Sequence, residues 1–283
     1  MTRRVDSHWL GGRVLLVLLM AMSVAWPGTG PSRPAAADAP VRELVLATTT
    51  SVQLTGLLDV LLPACRQATG LAVKAVAVGT GKAFEMARAG DADLVLGHAP
   101  ALEARFIADG FGVHARALMY NDFLILGPAD DPAGAASQST AAAVLQAVAS
   151  AGQPFVSRGD LSGTHLRERE LWATIGGPPT GATYLEAGQG MGETLQMAFE
   201  KRAYVLCDRA TWLFMRRRLP LRVIYENPIE LRNTYSVLAV SNTNVPAART
   251  DEAIRCIDWL TGPQARQLIA SFTIDGERLF QLP

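Results

Sequence analysis

Short apolar runs alternate along the chain with segments whose apolar residues recur every three to four positions. That alternation predicts strand followed by helix almost throughout. Leu44, Val45 and Leu46 form the first run, and Leu54, Leu57, Leu58, Leu61, Leu62 and Cys65 then fall on one helical face. The change of period repeats at LAVKAVAV with KAFEMARAG, and at residues 91–96 with a helix through Glu103 and Phe106. MYNDFLILG is a strand of mixed polarity ending at Gly127 and Pro128, and residues 133–151, rich in Ala and Ser, follow as a helix. Phe155 and Val156 precede a helix carrying Leu166, Leu171 and Trp172, and residues 183–186 precede the helix ETLQMAFEKRA. AYVLCDRATW gives one more strand and helix, 222–226 and LRNTYSVLAV two strands, and 248–260 and 263–272 two closing helices. Alternation of this kind implies an α/β protein with a largely parallel sheet, whose ligands sit beyond the carboxyl ends of strands.

Four of the strand-to-helix junctions share a chemistry. The first holds Thr48, Thr49, Thr50 and Ser51, the second Gly79, Thr80 and Gly81, the third SRGDLSGTH around Arg158, and the fourth GQGMG from Gly188 to Gly192. A helix start has unpartnered N–H groups and partial positive charge, so hydroxyls and glycines placed there make a donor-rich cup for an oxyanion. Arg158 adds a guanidinium able to make paired hydrogen bonds to one anion. Each junction also has a plain structural reading: an N-cap at the first, a tight turn at the second and fourth, an Arg158–Asp160 ion pair at the third. G-x-G-x-G at the fourth is not a dinucleotide fingerprint, because its spacing and surroundings are wrong.

The N-terminus reads as an export signal. MTRRVDSHWLGGR is basic, VLLVLLMAMSVAW is apolar but shorter than a membrane span, and PAAADA offers a cleavage site, so residues 1–37 are assigned as a signal peptide. A periplasmic or secreted location follows, with Arg3 and Arg4 a weak twin-arginine signal. Without those residues the chain has 22 basic and 25 acidic side chains, a net charge near −3. With 7% aromatic residues and no basic patch, nucleic-acid binding has no material to work with. The triple run Arg216, Arg217 and Arg218 coats a helix end. Cys65, Cys207 and Cys256 are too few and too widely spaced for a disulfide framework or a metal motif, and read as buried thiols, with one disulfide left open.

The pattern divides into two α/β domains joined by crossings near residues 122–127 and 232–238. Domain I comprises 41–124 and 232–283, and domain II 125–231, with two helix starts from each facing the cleft. TTTS, VGTGKA, GDADLVLGHA, MYNDFLILGP, SRGDLSGTH, GQGMGETL and TYSVLAV, in this order, resemble the solute-binding proteins of tungstate ABC transporters, relatives of the molybdate-binding proteins. The resemblance covers nearly all of the chain after the signal and departs at AVSNTNVP, beyond the cleft. It implies a type II periplasmic-binding-protein fold that closes on a tetrahedral oxyanion and delivers it to an ABC permease. The implied ligand-binding residues are Thr49, Thr50, Ser51, Thr80 and Arg158, with Ser162, Gly163, Thr164 and the amides around Gly190 and Met191 behind them.

No cofactor, catalytic group or direct metal-cation ligand is implied, and the chain is expected to be a monomer. Asp160 complicates the cup: either it faces away and orients Arg158, or it accepts a proton carried by the ligand. Molybdate, sulfate or another oxyanion would suit the same donors, and so would a sensor role. A phosphate-ester hydrolase using Ser51, Ser162 and His165 is the enzymatic alternative, but G-x-S-x-G is absent and His98, His114 and His165 lie far apart.

Overall fold

The computed structural model describes residues 43–283, so the signal assigned to 1–37 lies outside the described residues. The elements run β1 (Leu44–Thr49), α1 (Thr50–Leu54), α2 (Leu57–Thr69), β2 (Val73–Val78), α3 (Thr80–Ala89), β3 (Leu94–Gly97), α4 (Pro100–Ala108) and β4 (Gly112–Gly127). There follow α5 (Ala141–Ser150), β5 (Phe155–Ser157), α6 (Gly163–Ala173), β6 (Tyr184–Glu186), α7 (Met191–Lys201), β7 (Tyr204–Asp208), α8 (Arg209–Met215) and β8 (Arg222–Glu226). β9 (Arg232–Val240), α9 (Thr250–Leu260), α10 (Pro263–Ser271) and a short hairpin, β10 (Thr273–Ile274) with β11 (Glu277–Arg278), complete the chain.

The strands form one mixed sheet in the order β2-β1-β3-β9-β4-β7-β5-β6, with β8 also paired to β4. The strand–helix units give parallel pairs, β1 with β2 and β3, and β5 with β6 and β7. β4 and β9 run antiparallel to their neighbours and tie the two parallel groups together. β4 changes partner part-way along: up to Asp122 it pairs with β9, and from Phe123 it pairs with β7 and, from Leu124, with β8. Helices cover both faces of each parallel group. α2, α9 and α10 bury Leu57, Leu61, Cys256, Ile257 and Ile269 on one face of the first group, and α3 and α4 bury Phe84 and Phe106 on the other. α5 and α6 bury Val144, Leu145 and Trp172 against the second group, and α7 and α8 bury Met191, Leu195 and Trp212 opposite them.

Three local expectations change. The single helix expected through Leu54 and Cys65 is two, because Thr55 donates its hydroxyl to Val52 O at 2.7 Å and Gly56 turns left-handed at φ 76°. The helix expected over 133–151 begins only at Ala141. Asp131 accepts from Ala135 N and Ala136 N at 3.1 and 2.9 Å, which holds a separate short 3-10 turn there, and Thr140 caps the true helix at Ala143 N. The C-terminal hairpin was not foreseen; Arg216 and Arg217 lie at the end of α8, as expected, and pair with Asp275 and Glu277 on that hairpin.

Candidate functional site

At the first junction Thr49 is the N-cap of α1: its Oγ1 accepts from Val52 N at 3.4 Å and lies 3.1 Å from Ser51 Oγ. Thr48, the last fully buried residue before it, has no partner for its Oγ1 among the described residues. Thr80 opens α3, fully buried, and its Oγ1 accepts from Gly163 N at 3.3 Å. That bond carries the α3 start across to the α6 start, two elements separated by 83 positions in sequence. Gly163 is there because nothing larger fits: a Cβ would lie 2.5 Å from His98 O and 2.7 Å from the imidazole.

The turn from Ser157 to Ser162 carries the cation. Arg158 is 3% exposed; its Nε donates to Gln189 O at 2.9 Å and its Nη2 to Asp160 Oδ2. Asp160 Oδ1 accepts from Ser162 N at 3.0 Å, so both carboxylate oxygens are occupied by this turn. Ser162 caps α6 by accepting from His165 N, and Leu161, left-handed at φ 57°, donates its N–H to His165 Nδ1 at 3.0 Å. That last bond requires Nδ1 unprotonated. Burial holds the His165 imidazole below its ordinary value, in line with an acceptor role. Behind the turn, Glu168 is 1% exposed and takes the Tyr184 hydroxyl on Oε1 at 2.5 Å; burial pushes its carboxyl up to about 7. Gln189 O brings the Arg158 side chain to the start of α7, where Gly190 is the N-cap.

A polar network that no junction motif announced lies where β4 and β9 pair. His98 Nδ1 is 2.9 Å from Asn233 Oδ1, and Asn233 Nδ2 donates to Asn121 Oδ1 at 2.8 Å and to the Tyr235 hydroxyl at 3.1 Å. The His98 ring stacks on Tyr235 with centroids 4.7 Å apart. Burial lowers the His98 imidazole pKa, opposed chiefly by the charge of Asp208, and raises the Tyr235 phenol. Asp208 itself caps α8, accepting from Thr211 N and Oγ1.

The structure thus joins Thr80 to the α6 start and binds Arg158, Asp160 and Ser162 into one turn that touches the approach to Gly190. Thr50 and Ser51 meet Gly190 and Met191 along a cavity of about 640 Å³. A second cavity of about 640 Å³ is lined by Gly163 together with His98, Phe123, Arg167, Arg169 and Arg232. Thr164 Oγ1 is buried with no partner among the described residues, as is Asn121 Nδ2. The Arg158–Asp160 pair and the helix caps are present, so the plain structural readings describe real contacts. Arg158 Nη1 takes no partner from them. His98, Asn121, Asn233 and Tyr235 were missed; the polar residues interrupting the two crossing strands were the available signal. Among the described residues no hydrogen bond joins an imidazole nitrogen to a serine hydroxyl; His165 Nδ1 accepts from Leu161 N instead.

A family model described as a PBP superfamily domain matches residues 34–263. The tungstate-binding protein TupA of Peptoclostridium acidaminophilum is 37% identical over 273 residues, which are 92% of this chain and 94% of that one. The crystal structure of the tungstate ABC transporter from Geobacter sulfurreducens is 44% identical with a TM-score of 0.75, over 82% of this chain and 99% of that one. The tungstate-binding protein TupA from Desulfovibrio alaskensis G20 is 41% identical with a TM-score of 0.73, over 85% and 98% of the two chains.

Proposed function

The chain belongs to the PBP superfamily, and from that premise we propose that it captures a tetrahedral oxyanion, tungstate first, and delivers it to an ABC permease. The observation that carries this reading is the meeting of helix starts around one buried cation: Thr80 on α3 bonded to Gly163 on α6, with Arg158 held between that turn and the approach to α7. The tungstate-binding relatives supply the ligand. Binding needs no bond made or broken. Arg158 Nη1, the hydroxyls of Thr49, Thr50, Ser51, Thr80, Ser162 and Thr164, and the amide at Gly190 would donate to the anion while helix dipoles balance its charge. The lobes 41–124 with 232–283, and 125–231, would close on it about the paired strands at Asn121 and Asn233, excluding water. The product of closure is a surface presented to the permease in the periplasm.

Asp160 belongs to the orienting role in this reading, because one of its oxygens accepts from Arg158 and the other from Ser162 N, which ties the carboxylate to its own turn. Phosphate near neutral pH carries a proton that would find no acceptor, and an unmet buried donor costs about 1 to 3 kcal/mol. Calorimetric titration with tungstate, molybdate, sulfate and phosphate side by side tests the proposal. Tungstate should bind, and phosphate should bind roughly tenfold to a hundredfold more weakly. Heat from none of the four, or phosphate competing at comparable concentration, would refute it.

A further inference from the structure

We propose that Cys65 and Cys256 are a disulfide pair, a covalent clamp between α2 and α9, and that Cys207 stays a thiol. The two sulfurs lie 3.7 Å apart although 191 positions separate them in sequence, and both side chains are fully buried. They sit on the facing sides of two packed helices, among Leu57, Leu61, Ala253, Ile257 and Leu260. A modest side-chain rotation brings such sulfurs from contact to the bonding distance of about 2.05 Å. Cys207 is in β7, in a different part of the core, and its thiol donates to Asp208 O at 3.2 Å. Three cysteines therefore resolve into one pair and one remote thiol.

The oxidant is a disulfide donor, either a small-molecule disulfide or a dithiol–disulfide oxidoreductase. The Cys65 thiolate attacks one sulfur of the donor, forming a mixed disulfide and releasing the other sulfur as a thiolate. Cys256 then gives up its proton and attacks Cys65 Sγ, which forms the internal disulfide and releases the second donor sulfur. Two cysteine thiols lose two electrons and two protons, and the donor becomes two thiols. Neither sulfur is reachable in the folded chain, so the exchange belongs to the stage before α9 docks on α2. Once formed, the bond is shielded from reductant until the chain unfolds. It would close residues 65–256 into one loop, and the loss of unfolded-state freedom grows with loop length.

The test refolds the full chain from denaturant in a mixture of reduced and oxidised glutathione, blocks remaining thiols with N-ethylmaleimide in denaturant, and weighs the product. The expected result is one blocked thiol, at Cys207, and a non-reduced peptide linking Cys65 to Cys256. The oxidised protein should melt roughly 10 °C above the same protein refolded under reductant. Cys207→Ala should keep that increment and Cys256→Ala should lose it; the reduced wild-type chain supplies the reference should either variant fold poorly. Three blocked thiols after oxidative refolding, a link that includes Cys207, or a Cys65–Cys256 link with no rise in melting temperature would each overturn the proposal.

Discussion

Arg158 is fixed by Gln189 O and Asp160, so its guanidinium is oriented by the protein's own contacts. Truncating it removes a charge-assisted donor and also leaves Asp160 without its cation. Arg158→Ala should therefore weaken tungstate binding by about 2 to 5 kcal/mol, whereas Thr80→Ala, which removes one neutral hydroxyl, should cost about 1 kcal/mol. Calorimetry of both variants checks the ranking, and unaltered affinity in Arg158→Ala would make Arg158 a purely structural partner of Asp160. His165 sets a pH dependence on the same turn. Its folded pKa is lowered by burial, so below the ordinary value of about 6.5 the unfolded chain takes up a proton that the folded chain resists. Stability and binding should be full above that value and fall as pH drops through it, and His98, lowered in the same direction, adds to the loss of stability. His165→Asn keeps an acceptor for Leu161 N–H without a titrating ring, so titrations between about pH 5.5 and 7.5 should show a flatter profile for this variant than for the wild type. Coincident profiles would remove His165 from the account. At this scale the sequence revealed the residues that sit in motifs, Thr49, Thr80 and Arg158 among them. His98, Asn121, Asn233 and Tyr235 stayed hidden because their network is assembled from β4, β9 and the turn after β3, with no local pattern to announce it.

Among elements, the α6 start is the joint between the two parallel groups of the sheet. Gly163 touches Thr80 on α3 through its N–H and His98 through the space where a Cβ would lie. Its backbone is not left-handed, so alanine is conformationally acceptable there, and the cost of Gly163→Ala is steric. The contact atom is a backbone oxygen at 2.5 Å, which cannot swing aside as a flexible side chain would. Forced apart at this point, α3 and α6 should lose about 1 to 3 kcal/mol of tungstate affinity while the helical circular dichroism stays unchanged. Wild-type affinity in Gly163→Ala would show that the close approach is incidental to binding. The strand and helix periods were legible at the four cup junctions because the change of period there coincides with a hydroxyl or glycine. The break between α1 and α2 was not, since the apolar spacing continues across Gly56, whose left-handed turn, with the Thr55 hydroxyl turned back on Val52 O, interrupts the helix.

The whole molecule hangs on β4 and β9. They pair side by side at Asn121 with Asn233 and Asp122 with Arg232, and the partner change on β4 follows at Phe123. The sequence showed the mixed polarity of MYNDFLILG, yet it could not give the strand order or the antiparallel setting of β4 and β9, because pairing across more than a hundred residues leaves no local trace. For the same reason it could not place Cys65 beside Cys256. The central claim is that one oxyanion sits where the α3 and α6 starts meet beside Arg158. A crystal grown with tungstate, measured above a tungsten absorption edge, tests it directly. The predicted result is one dominant anomalous peak whose surrounding oxygens lie about 2.7 to 3.2 Å from donors on Arg158, Thr80, Thr164 and the amide at Gly190. A peak instead among Arg167, Arg169 and Arg232 in the neighbouring cavity, or none in crystals of protein shown to bind tungstate in solution, would contradict it.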